Sequence, residues 1–186
     1  MDPEDIIIRI ANENDAHYAV IISEETYNSA RKRGTGISKR SPESIIQKMT
    51  EGKAVLAVTK KGDWVGFSYI EIWTNGEFVS HSGLIVAPAF RQLGIAKLIK
   101  NRIFVLSREK YPEAKLFSIS TGLAIIKMNA ALGFETVTFN ELPDEPKFWQ
   151  GCRSCINYSI LQSKHCKNCL CTAMLYTPAN LKKHCN

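Results

Sequence analysis

The sequence predicts an α/β (α+β) fold carrying a small cysteine-rich C-terminal appendage, and three observations support that expectation. β-branched apolar runs and helix-periodic stretches alternate in the order βααβββαβαβ. The three central β runs are joined by hairpin-type turns, which makes them an antiparallel meander. Cysteine and net charge are both confined to the last part of the chain. With 186 residues, 45% of them hydrophobic and 23% charged, the chain suits one domain plus an appendage, with a core of ordinary size.

Taken in order, Ile6 to Ile10 is a short apolar β run, and the polar residues Asn12 to Asp15 offer caps for an amphipathic helix from Ala16 to about Ala30. Residues 31–40, from Arg31 to Arg40, form a basic, glycine-bearing loop. Ser41 caps a second helix, with Pro42 at its first position and its end near Met49. Ala54 to Thr59, Trp64 to Trp73 and Glu77 to Val86 are rich in β-branched and aromatic residues, separated by turns at Lys60–Asp63 and Thr74–Gly76. From Gly94 to Tyr111 the residues Ile95, Leu98, Ile99, Ile103 and Leu106 recur at helical spacing, and Pro112 ends the run. Lys115 to Ser120 reads as a strand, Ala124 to Leu132 as a helix, and Gly133-Phe134 as the opening of a last strand through Phe139.

The segment from Leu84 to Lys97 carries the sharpest signal. An apolar strand breaks at Pro88, passes through Arg91-x-x-Gly94-x-Ala96, and enters a helix. Amides at a helix start lack intrahelical partners and sit at the positive end of the macrodipole, so they hold phosphate without a charged side chain. Small residues at 94 and 96 let an anion reach the backbone. The spacing departs from the dinucleotide pattern G-x-G-x-x-G, because its first anchor is Arg91.

This segment resembles motif A of the GCN5-related N-acetyltransferase (GNAT) superfamily, and the order of elements over about residues 5–140 resembles it too. The resemblance implies a central mixed, mostly antiparallel twisted sheet flanked by helices, and acetyl-coenzyme A as cosubstrate. It places the pyrophosphate on the amides of Gln92, Leu93, Gly94, Ile95 and Ala96, in a cofactor site that extends to Lys97. Arg91 would make forked contacts at the edge of the phosphates. The pantetheine arm would pair with the backbone of Leu84, Ile85 and Val86, with an amide near Val86 meeting the thioester oxygen. The reaction implied is acetylation of a primary amine on a small molecule or peptide.

Two positions depart from the superfamily pattern. Many members carry a glutamate base where this chain has Ser80, which leaves His81, Glu77 and Glu71 as replacements. A general-acid tyrosine is replaced by Asn129, in a stretch from Lys127 to Phe134 that resembles the asparagine-bearing form of the last helix. An amide supplies no proton, so Asn129 is expected to hydrogen-bond the pantetheine or its sulfur. Ser80 and Asn129 together keep open a non-catalytic acyl-coenzyme A sensor.

All six cysteines, at 152, 155, 166, 169, 171 and 185, follow Gly151, and no acid follows Glu145. The six basic residues beyond that point equal the chain's net charge of +6, so the preceding part is neutral. Two prolines and three acids over Glu141 to Pro146 suggest a linker, dividing the chain into an acetyltransferase domain at 1–140 and a basic extension at 141–186. Cys152-x-x-Cys155 and Cys166-x-x-Cys169 have the spacing of a four-thiolate zinc site, with Cys171 or His165 able to replace a ligand. Disulfides and inert thiols are the competing readings.

A zinc-ribbon module contacting nucleic acid or an acidic protein is the other function class. The charge is modest, and Tyr158 and Tyr176 sit as core residues would, so nucleic acid is not expected. The basic loop at 31–40 suits an acidic acceptor, the 3′-phosphate of coenzyme A, or simple solvation. The acidic start and the lack of a long apolar run predict a cytoplasmic protein without a membrane span. Oligomeric state stays open, a homodimer included.

Overall fold

The computed structural model describes residues 5–34 and 40–179. Its centre is β2 (Ala54–Thr59), buried at all six positions because helices cover both faces of the sheet. Ala54, Leu56 and Val58 face α1 (Ala19–Arg33) and α2 (Pro42–Thr50), meeting Ile22, Ile45 and Met49. Val55 and Ala57 face α3 (Ile95–Lys110), meeting Ile99 and Ile103. The alternation of strand side chains thus places one apolar set under each helical layer.

Seven strands run in the order β1-β2-β3-β4-β5-β7-β6. β1 (Ile6–Ile10), β2, β3 (Trp64–Trp73) and β4 (Phe78–Val86) form the expected antiparallel meander. β4 then runs parallel to β5 (Lys115–Ser120), but only through Phe78–Ser80 and Lys115–Phe117. Beyond Ser80 the two strands diverge. β4 also carries a bulge, since Phe67 pairs with Ile85 while Tyr69 pairs with Ser82. Gly83 sits in the bulge at φ +64°, where a Cβ would stand 2.5 Å from Cε1 of Tyr69. Only glycine satisfies both the backbone and the ring.

The helices keep their expected order with small changes at their ends. A capped 3-10 turn, Glu13–Tyr18, precedes α1, which therefore begins at Ala19 rather than Ala16. α4 covers Leu123–Ala131. No helix among the described residues is long and apolar enough to cross a membrane.

The C-terminal part differs from the sequence reading. The strand expected through Phe139 is only Glu135–Val137 (β6), and Thr138 and Glu141 then cap a 3-10 turn. Residues after 140 do not stand apart as an extension. After two short helices, α5 (Pro146–Gln150) and α6 (Tyr158–Ser163), the chain returns as β7 (Thr172–Tyr176), which lies between β5 and β6 and pairs with both. A segment of this length cannot bury enough apolar surface by itself. It completes a core with the sheet, packing Phe139, Leu142, Trp149 and Leu161 against Phe78 and Phe117. The cysteine-rich stretch is thus a long loop between two neighbouring strands.

Candidate functional site

The divergence of β4 from β5 opens a cleft, and a cavity of about 540 Å³ fills it. One side is made by α1, α2 and β3 through Thr26, Lys48, Tyr69 and Glu71. β4 supplies Ser80 to Leu84, β5 supplies Phe117 to Ser120, and the β6–β7 loop closes the side with Phe148, Trp149 and Tyr158. Two segments far apart in sequence meet here because β7 docks on β5.

The strand-to-helix turn follows β4, two residues beyond Val86, and does not itself line the cavity. Pro88–Phe90 is a single 3-10 turn, after which Gln92 (φ +67°) and Gly94 (φ +77°) turn the chain so that Gly94 caps α3 without a side-chain cap. The amides of Gln92, Leu93 and Gly94 donate to no acceptor among the described residues, and those of Ile95 and Ala96 occupy the open first turn. These five positions are the ones at which the sequence reading expects an anion. Lys97 is exposed, and its amide already donates to Gly94 O at 3.0 Å, so it adds no free donor. Arg91 is more constrained than the sequence implies. Its Nε donates to Val86 O at 3.1 Å, and Nη2 meets Glu25 Oε1 of α1 at 2.6 Å. The guanidinium pins the turn to β4 and α1, where the sequence reading has it forked on phosphate.

On β4, Leu84 lines the cavity, while Ile85 and Val86 are buried and hold β3 along one edge. Past Ser80 the other edge of β4 has no strand partner among the described residues. That edge suits an extended amide-bearing arm. Asn129 of α4 is 1% exposed, yet both polar atoms of its side chain lack partners. An unmatched buried amide is costly, which fits a group that hydrogen-bonds a ligand. It does not line the main cavity.

The proposed bases fare differently. Ser107 Oγ donates to Ile103 O at 2.8 Å, so it accepts from His81 Nε2–H at 2.9 Å. His81 Nδ1 then accepts from Lys100 Nζ at 2.9 Å. Both ring nitrogens are used, and burial together with the Lys100 charge holds the imidazole well below its ordinary value. His81 is a neutral structural group, which corrects its reading as a base. Lys100, also buried, is pushed down to about 7 by desolvation. Glu71 lines the cavity and holds Lys48 Nζ at 2.6 Å through one oxygen. Ser80 Oγ accepts from Trp73 Nε1 at 3.0 Å and offers no base. Glu77 instead faces Lys115 at the outer edge, 3.3 Å away.

Cys152, Cys155, Cys169 and Cys171 line the cavity, and Cys166 packs into the adjoining core; Cys185 lies outside the described residues. Burial pushes Cys152 up to about 11, whereas a hydrogen bond from the Cys171 thiol brings Cys169 to about 6 and drives Cys171 far upward. Among the described residues, no three His, Cys, Asp or Glu side chains are arranged to hold one metal ion. The four-thiolate shell expected from spacing is not assembled.

Sequence reasoning missed Lys100, and it named Arg40 only as one of the basic residues of the loop at 31–40. The signal for Lys100 was present, since it and Ser107 interrupt the buried stripe of α3 at a seven-residue interval, as polar residues with a buried partner would. Arg40 has no periodic signature. It is placed by two contacts, Ser23 Oγ donating to its carbonyl at 2.6 Å and its own Nε donating to Tyr69 OH at 2.6 Å.

No protein-family model matches the sequence, and no curated protein matches it. Solved structures do match. N-acetylglutamate synthase from Neisseria gonorrhoeae, complexed with coenzyme A and N-acetyl-glutamate, superposes with a TM-score of 0.64 at 17% identity, covering 93% of this chain but 35% of that one. Rv2747 from Mycobacterium tuberculosis, in complex with CoA, gives 0.64 at 16% identity over 92% of this chain and 98% of that one. A GNAT superfamily phosphinothricin acetyltransferase from Sinorhizobium meliloti, in complex with AcCoA, gives 0.63 at 15% identity over 98% and 95%. The chain shares its fold with these acetyltransferase structures.

Proposed function

We propose that the protein is an N-acetyltransferase that moves an acetyl group from acetyl-coenzyme A to a primary amine. The observation that carries this reading is continuity: free amides at the start of α3 lead along the open edge of β4 into the cavity. The α3 amides hold the pyrophosphate and the β4 edge positions the arm. Asn129 takes a hydrogen bond from or gives one to the arm, satisfying its buried amide. Acetyl-coenzyme A supplies the activated thioester. Free amides along β4 stabilise the oxygen on which negative charge develops.

An amine of pKa near 10.4 must lose a proton before it attacks. Glu71 is the base in this reading, because Lys48 occupies one of its oxygens and leaves the other free for a proton while the carboxylate borders the cavity. Thiol release measured against a panel of amines tests the proposal. Release above the hydrolysis rate for at least one amine supports it; coenzyme A binding with no turnover on any amine would favour a ligand sensor.

A second reading concerns the β6–β7 loop. The amides of Asn157 and Cys171 donate to Sγ of Cys155 and Cys169, both at 3.3 Å, as they would to thiolates on a metal. These bonds support zinc held by Cys152, Cys155, Cys166 and Cys169, with Cys171 as the alternative, provided the thiols draw together. Elemental analysis giving about one zinc per chain supports it, and less than about 0.2 counts against it.

A further inference from the structure

We propose that the amine accepted in this cavity also carries a carboxylate, which makes the acceptor an amino-acid-like compound rather than a polyamine or a neutral amine. This rests on the acetyl-transfer reading above. Three cations, Arg40, Lys48 and Lys147, and the partly charged Lys100 border the cavity together with a single carboxylate, Glu71. Glu71 is already paired with Lys48 at 2.6 Å. Among the described residues no carboxylate pairs with Arg40, Lys100 or Lys147, so the cavity keeps an excess of positive charge even with Cys169, brought to about 6, as a thiolate. A cationic polyamine would add further charge to that field, whereas an anionic group would relieve it.

Arg40 is the group built for this. Ser23 fixes its backbone and Tyr69 OH holds Nε, which orients the guanidinium while both terminal nitrogens have no partner among the described residues. Tyr69 is itself fixed against the β4 bulge at Gly83. A planar fork held by its Nε is preorganised for two parallel bonds to a carboxylate. Ser82, paired across the strands with Tyr69, also lines the cavity, so the wall near the fork is polar. The phosphates of the cosubstrate do not account for this group, because their amide cradle begins after Ala87, beyond the far end of the open β4 edge. Lys147 comes from the β6–β7 loop and adds a second cation from the facing wall.

The experiment is steady-state acetylation by the full chain, comparing each amino acid and amino diacid with its carboxamide and with the decarboxylated amine. The carboxylates should be used with kcat/KM at least about tenfold above their partners. Arg40→Gln should raise the acceptor KM by about tenfold or more and leave the acetyl-coenzyme A KM unchanged, with Arg40→Lys recovering part of the loss. The unchanged cosubstrate KM shows that the variant is folded. Equal or better use of carboxamides or polyamines overturns this inference while sparing acetyl transfer. A shift confined to the acetyl-coenzyme A KM assigns Arg40 to the cosubstrate and also overturns it. No turnover of any amine removes acetyl transfer itself and the inference with it.

Discussion

The two halves of the cleft are built from different materials. On the proposed reading, the cosubstrate half is backbone: five amides on one turn and the free edge of one strand, drawn from the continuous stretch 81–96. The acceptor half is side chains: Arg40 after α1, Lys48 on α2, Glu71 on β3, and the β6–β7 loop. The first half tolerates sequence change, because most side chains offer the same amide. The second depends on each residue and on the long-range docking of β7. On that reading, such a division would keep one cosubstrate while letting the acceptor vary.

Two glycines give the largest contrast between the halves. Gly83→Ala puts a Cβ into the Tyr69 ring at positive φ, and a loss of about 2 to 4 kcal/mol is expected in denaturant unfolding, with a disturbed acceptor KM. Gly94→Ala has open space, so the strain of its φ of +77° should cost only about 1 kcal/mol. Equal losses would contradict the packing described for the bulge.

Lys100 tests the floor beneath both halves. Its folded value of about 7 lies below the unfolded value near 10.4, so the unfolded chain holds more protons between them. Burial therefore destabilises fully below pH 7, and the penalty fades as pH rises toward 10. Lys100→Met should raise stability by roughly 2 to 4 kcal/mol at pH 6, offset in part by the bond lost to His81, and by much less at pH 9.5. A pH-independent gain would mean that the ammonium is not buried as described.

Glu71→Gln should lower kcat by about a hundredfold with little change in acetyl-coenzyme A affinity. The same loss from His81→Gln, without a fall in stability, would return the base to His81. Smaller effects belong to the turn. Arg91→Ala should weaken coenzyme A binding by about tenfold, near 1.4 kcal/mol, and Glu25→Gln should give part of that loss, since Glu25 acts only through Arg91.

This division also explains what the sequence discloses. Gly94, Ala96 and the apolar stripe of α3 are local and periodic, so the cradle, the meander and the helix order could be read directly. The closure of the sheet could not. Thr172–Tyr176 was hidden inside a cysteine-rich stretch whose composition suggests an appendage, and its pairing with β5 depends on Phe78 and Phe117, far earlier in the chain. His81 as a base failed for the same reason, because its partners Lys100 and Ser107 come from another element. Arg40 stands out from the other basic residues of its loop only once Tyr69 is placed beside it.

The central claim is that the α3 amides and the open β4 edge bind coenzyme A, and calorimetric titration of the full chain with coenzyme A tests it most directly. Saturable binding with Kd below about 100 µM is expected, weakened by Arg91→Ala but unaffected by Arg40→Gln. Absence of binding at millimolar coenzyme A would contradict the account.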